Sequence, residues 1–209
     1  MAASAEDFRA LIASRPDERH IQRFLEANPH LFSGLGISHK ATIVRQFPLG
    51  ADFRPDFALV HANSGGTHFQ FIELENPRLP LFNADDSFSQ HCNHAVQQLL
   101  DWLNWCGSNR QQLIEMSQSL VRLVKSDRTY FFCTLVMGHR RELSNRRRQE
   151  RFESRQHPGE YRIRTYDGLA EALEESSVWS QTGWTPNIYA YRRREFVKLA
   201  PPDGGGSDT

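Results

Sequence analysis

Apolar residues return at helical intervals at the start of the chain, switch to strand alternation in its middle, and mix the two towards its end. Phe8, Leu11 and Ile12 lie on one helical face between Glu6 and Ser14, and Pro16 closes that segment. A second helix opens at Asp17, an N-cap residue, turns Ile21, Phe24 and Leu25 inward and stops before Pro29. Residues 41–47 read as a strand, and Pro48-Leu49-Gly50 as a turn. Residues 55–60 and 67–75 then flank Asn63-Ser64-Gly65-Gly66, which is hairpin chemistry, so three strands form a meander.

Beyond the hairpin, Phe88, Cys92, Ala95, Val96, Leu99, Trp102 and Leu103 recur at helical spacing over residues 87–105, ended by Gly107 and Ser108. This long amphipathic helix is expected to cover the sheet. Residues 110–124 predict another helix, and the apolar run from Tyr130 to Met137 predicts a central, fully buried strand. Residues 141–156 are charged all round, 161–166 alternate like a strand, and Asp167 caps a short helix reaching Glu175. The expected class is mixed α/β, with residues 1–199 as one domain and a disordered Gly-rich tail over 200–209.

The hairpin carries the candidate chemistry. Alternation puts Glu73 and Glu75 on one face and Ile72 and Leu74 on the other, where they can enter a core. Pro77 cannot donate a ladder hydrogen bond, so the strand stops near Asn76 and leaves the acids at a sheet end, with Asp56 at the start of the partner strand. Three acids close together repel, titrate as a set and suit a hard divalent cation. The same residues would also suit a strand entrance and the solvated face of an antiparallel sheet.

Pro55-Asp56, a spacer and Glu73-Leu74-Glu75 resemble the motif of the PD-(D/E)XK nuclease superfamily, with Glu75 where the family usually carries Lys. Phe24-Leu25-Glu26-Ala27-Asn28-Pro29-His30-Leu31-Phe32, Gln97-Gln98-Leu99-Leu100 and the run from Tyr161 to Leu169 resemble, more narrowly, the Shedu-type anti-phage nuclease domain over about residues 18–175. The resemblance implies a restriction-endonuclease-like α-β-β-β-α-β core, with further C-terminal helices and a strand, and a metal-dependent endonuclease acting on DNA in prokaryotic defence. It implies Mg²⁺, with Mn²⁺ as a substitute, held by Asp56, Glu73 and the carbonyl of Leu74, and an acid of the preceding helix, here Glu26, aimed at the same cluster. Glu75 would accept a proton from water or bind a second metal, and Gln98 would position water or a phosphate oxygen. Homo-oligomers are usual in such proteins, and a partner protein in a defence system is a further expectation. The other reading, which the absent Lys favours, is a catalytically degenerate nuclease fold serving as a nucleic-acid-binding or regulatory module.

Composition adds little to the substrate question. Lys plus Arg and Asp plus Glu both number 25, so no global field draws in DNA, and RNA is not excluded as a partner. Basic charge is almost wholly arginine. Arg54 beside the motif, and Arg146, Arg147 and Arg148 in a basic run, are the candidate phosphate contacts, although Glu142, Glu150 and Glu153 equally suit ion pairs within that run. Lys40 or Arg54 is the candidate to replace the missing Lys in space. Cys92, Cys106 and Cys133 have no metal-site spacing and read as reduced thiols. His91 and His94 read as helix-surface residues, and His68 falls on the strand face opposite Glu73. With no signal segment and no membrane span, the expectation is a soluble cytoplasmic protein.

Overall fold

The computed structural model describes residues 3–35, 41–121, 128–180 and 186–199. The tail expected to be disordered, together with Lys40, lies outside them. Helix α1 (Ala5–Ala13) starts from Ser4, whose hydroxyl accepts from the Asp7 N–H while the Asp7 carboxylate accepts from the Ser4 N–H, a reciprocal capping box. Helix α2 (Glu18–Ala27) is capped by Asp17 and followed by a 3₁₀ segment, Pro29–Leu35. Strands β1 (Thr42–Arg45), β2 (Phe57–Asn63) and β3 (Gly66–Leu74) make the expected meander. Its hairpin turn is Ser64–Gly65, with the Asn63 side chain accepting from the Gly65 N–H at 2.8 Å.

Helix α3 (Gln90–Ser108) runs through Gly107, the residue expected to break it. It ends at Asn109, whose side-chain amide donates to the Trp105 carbonyl. Helix α4 (Arg110–Ser117) is shorter than its periodicity predicts and leads to strand β4 (Thr129–Val136). Helix α5 (Arg146–Ser154), strand β5 (Tyr161–Arg164) and helix α6 (Tyr166–Ser180) follow. A hairpin that the sequence pattern did not announce, β6 (Ile188–Arg192) and β7 (Glu195–Lys198), completes the described residues.

The strands join one mixed sheet in the order β5-β4-β3-β2-β1-β6-β7. β3 pairs antiparallel with β2 and parallel with β4, and β6 joins β1 in parallel. β4 is therefore next to the edge strand β5, not central. In its first half Tyr130 is 45% exposed and Phe131 and Phe132 are half-buried, while Cys133 to Val136 are buried.

Alternation feeds two cores, one on each face of the sheet. Phe69, Phe71, Cys133 and Leu135 pack with the Cys92, Ala95, Leu99 and Trp102 stripe of α3. Ile72, Leu74, Leu59 and Val136 pack with Phe8, Ile21, Leu25, Tyr166 and Leu169 from α1, α2 and α6. The sheet is thus covered on both faces where β3 ends, and the open-sheet reading of Glu73 and Glu75 does not hold. The three cysteines are free and buried. No helix among the described residues is long and apolar enough to cross a membrane.

Candidate active site

The backbone ladder brings the acids together before any side chain is considered. Phe57 is the register partner of Ile72, so Asp56, one step before it, lies beside Glu73. The Asp56 N–H donates to Glu73 Oε2 at 3.4 Å, and the Leu74 N–H donates to Asp56 Oδ2 at 2.8 Å. A strand residue's N–H and C=O point to the same side, so the Leu74 carbonyl also faces the Asp56 edge. Glu75 continues the line just beyond β3. Its N–H donates to the Val136 carbonyl at 2.9 Å, and its carbonyl accepts from the Tyr166 hydroxyl.

Two glutamines reach the pair from opposite layers. Gln98 on α3 donates to Glu73 Oε1 at 3.0 Å. Gln22 on α2 donates to Asp56 Oδ1 at 2.5 Å and to Glu18 Oε1 at 3.0 Å, which draws Glu18 into the acidic set. The sequence reading named Gln98 but not Gln22 or Glu18. Their signal was an i, i+4 polar pair beside the Ile21–Leu25 apolar stripe, a pattern that solvated helix faces also show.

Glu26, the acid expected from this helix, faces Arg45 instead. It forms a two-point ion pair with that guanidinium, at 2.9 and 3.2 Å. The structure therefore joins Asp56, Glu73, Glu75, Gln98 and Leu74 at one strand end and leaves Glu26 committed to Arg45.

Burial and like charge together raise the proton affinity of the set. Burial pushes Asp56 up to about 7 against the pull of the Leu74 N–H, with the charges of Glu18, Glu75 and Glu26 adding to the rise. Burial, then the charges of Asp56 and Glu75, hold Glu73 well above the usual carboxylate range. Glu75 is raised by burial, while His91 and His94 on α3 pull it down. Glu18 is raised by burial and by Glu75.

Among the described residues, no three His, Cys, Asp or Glu side chains are arranged to hold a metal ion. The donor chemistry nevertheless suits a hard cation: the donors are all oxygen, crowded, partly buried and mutually repelling. The hydrogen bonds named above leave lone pairs free on the carboxylate oxygens.

The proposed phosphate contacts are more scattered. Arg54 is exposed two residues from Asp56. Arg148 is tied to Asp86 at 2.5 Å and lies over the Phe82 ring, and Arg146 pairs with Glu150 at 2.7 Å. Of that run only Arg147 stays exposed with no side-chain partner among the described residues. His68 stacks between His61 and Tyr130 on the face opposite Glu73.

A family model described as Shedu protein SduA, C-terminal, matches residues 15–170, which span every element from α2 to the start of α6. No curated protein matches the chain.

Proposed function

Since the chain belongs to the Shedu SduA C-terminal family, we propose that it is a divalent-cation-dependent endonuclease that hydrolyses DNA phosphodiester bonds in anti-phage defence. The observation that carries this reading is the side-by-side placement of Asp56 and Glu73 at a partly buried strand end, with the proton affinity of Asp56 raised by burial and the charges of Glu18 and Glu75, and that of Glu73 by burial and the charge of Asp56. On this reading α2, β1 to β3, α3 and β4 are a restriction-endonuclease-like core. Mg²⁺, or Mn²⁺ in its place, would be held by Asp56, Glu73 and the Leu74 carbonyl. When bound, such an ion polarises the scissile phosphate and lowers the pKa of a water.

The chain's own residues do the rest. Gln22 and Gln98 fix the carboxylates, so that their lone pairs are presented without rotamer search. Glu75 stands where the superfamily places Lys, so it supplies a proton acceptor for the attacking water and no positive charge. Glu18 joins the acidic set through Gln22, while Glu26, paired with Arg45, reaches Asp56 only through its charge.

The substitution of Lys by Glu75 also favours a second reading, a degenerate nuclease fold that binds nucleic acid without cutting it. Cleavage of linear, supercoiled and single-stranded DNA with Mg²⁺ or Mn²⁺ decides between them. The nuclease reading expects cation-dependent cutting that Asp56→Ala and Glu73→Ala both abolish. Binding of DNA by a folded protein that cuts none of these substrates would establish the second reading instead.

A further inference from the structure

A cleft of about 650 Å³ opens between the end of α1, the Pro77–Pro80 segment and residues 139–142, and arginines 15, 78 and 141 line it with His139. A second cavity of about 320 Å³ shares Arg15, His139 and Arg141 and reaches Tyr166. Pro77 is two residues past Glu75, residue 139 is three past Val136, and Tyr166 holds the Glu75 carbonyl. The cleft therefore opens at the same sheet end as the carboxylates.

Three guanidinium groups face one carboxylate, Glu142, in the lining of the larger cleft, so positive charge is in excess there. Among the described residues, the guanidinium groups of Arg15 and Arg141 make no ion pair or hydrogen bond, and both residues are exposed. Arg78 donates through Nε and Nη2 to the Arg15 carbonyl, at 3.2 and 2.7 Å, and leaves Nη1 over. The charge of Arg78 acts on Asp17, which is hydrogen-bonded to His20. The acids in the cleft walls keep their charge but are held by hydrogen bonds that do not involve the three arginine side chains. Glu142 accepts from the Leu81 and His139 N–H groups, and Asp167 from the Arg140 N–H and His139 Nδ1. Glu171 and Glu174 are taken by Arg140 and Arg9.

Resting on the nuclease reading, we propose that this cleft binds the phosphodiester backbone of the substrate strand, with Arg15, Arg78 and Arg141 as its phosphate ligands. A strand with one phosphate at the acids must carry its neighbouring negative charges over the adjacent surface. The guanidinium fork is the side chain best matched to them. The basic face of α5, by contrast, spends Arg148, Arg151 and Arg155 on Asp86 and Asn93.

Arg15 offers a clean test because it sits at φ +54°, a conformation that favours glycine. Arg15→Gly removes the guanidinium while relaxing the backbone, and a parent-like melting curve separates a loss of binding from a loss of fold. Arg193→Gly is the matched control: it makes the same change at φ +51°, in the β6–β7 turn.

Fluorescence anisotropy of a labelled DNA duplex, in chelator so that nothing is cut, should show affinity falling about tenfold for Arg15→Gly and again for Arg141→Ala. The salt slope should fall by about one per arginine, and Arg193→Gly should match the parent. Parent-like binding by both cleft variants overturns the cleft as the phosphate site and leaves the nuclease reading intact. Loss of binding in the variants of a chain that binds but never cuts DNA sinks the nuclease reading and keeps the cleft. A parent chain that binds no DNA either in chelator or with Ca²⁺ in place of Mg²⁺ sinks both.

Discussion

Asp56 has a measurable signature at the residue scale. A carboxyl whose folded-state pKa rises from 3.8 to about 7 binds its proton more tightly in the native chain than in the unfolded one. Its contribution is fully present below about pH 4 and is lost as pH rises through 7, with a slope of up to about 1.4 kcal/mol per pH unit for one proton. The metal-free protein should therefore melt at a lower temperature at pH 8 than at pH 5. Asp56→Asn, which can still accept from the Leu74 N–H, should flatten that profile, and thermal denaturation in chelator across this range checks it. An unchanged profile would mean that Asp56 is not the group responsible. Divalent cation should restore stability at pH 8 in the parent and much less in Glu73→Ala, read from melting temperature against Mn²⁺ concentration. Asp56, Glu73 and Glu75 were legible in the sequence because a strand's period of two and a short hairpin turn fix their relation within one local unit. Glu18 and Gln22 were not, since the direction of their side chains depends on how α2 docks against the sheet. The same docking decides that the Glu26 carboxylate pairs with Arg45 while its charge still acts on Asp56.

Among the elements, the turn after β4 carries a steric prediction. Gly138 sits at φ +67°, and a Cβ there would come within 2.5 Å of Leu81 Cγ and 2.7 Å of Glu142 Oε1. Gly138→Ala should cost roughly 2–4 kcal/mol in urea unfolding, because the left-handed backbone and the overpacking both penalise a methyl group. Helix α5 carries another. Arg148 ties it to the 82–88 loop through Asp86 and the Phe82 ring, with its side chain 19% exposed. Arg148→Ala should lower stability by about 1 kcal/mol and leave duplex affinity unchanged. The density of arginine in this run signalled nucleic acid in the sequence, yet its geometry is that of a brace. Of the cleft arginines only Arg141 belongs to that basic run; Arg15 and Arg78 gave no such signal, because they come from distant segments. The helices and the meander were legible from periodicity, with errors where one residue was made to decide an end, as at Gly107. The β6–β7 hairpin was missed because Arg192-Arg193-Arg194 interrupts its alternation.

For the whole molecule, the β6–β7 hairpin closes the side of the sheet that β1 would otherwise expose. Removing residues 186–209 should leave the Ile43–Val44 edge unpaired and send the protein into concentration-dependent aggregates, which light scattering would detect. A truncated chain that stays monomeric would show that β1 needs no such cover. The pairing pattern also has a kinetic meaning. Asp56 and Glu73 meet across a single hairpin, 17 residues apart, whereas β1 and β6 are brought together from opposite ends of the chain. Loop-closure entropy makes near encounters fast and distant ones slow. The carboxylate pair therefore assembles early, on the ribosome or in refolding, and the β1 edge is sealed last. For a time the growing chain holds its mutually repulsive carboxylates together while the β1 edge is still open.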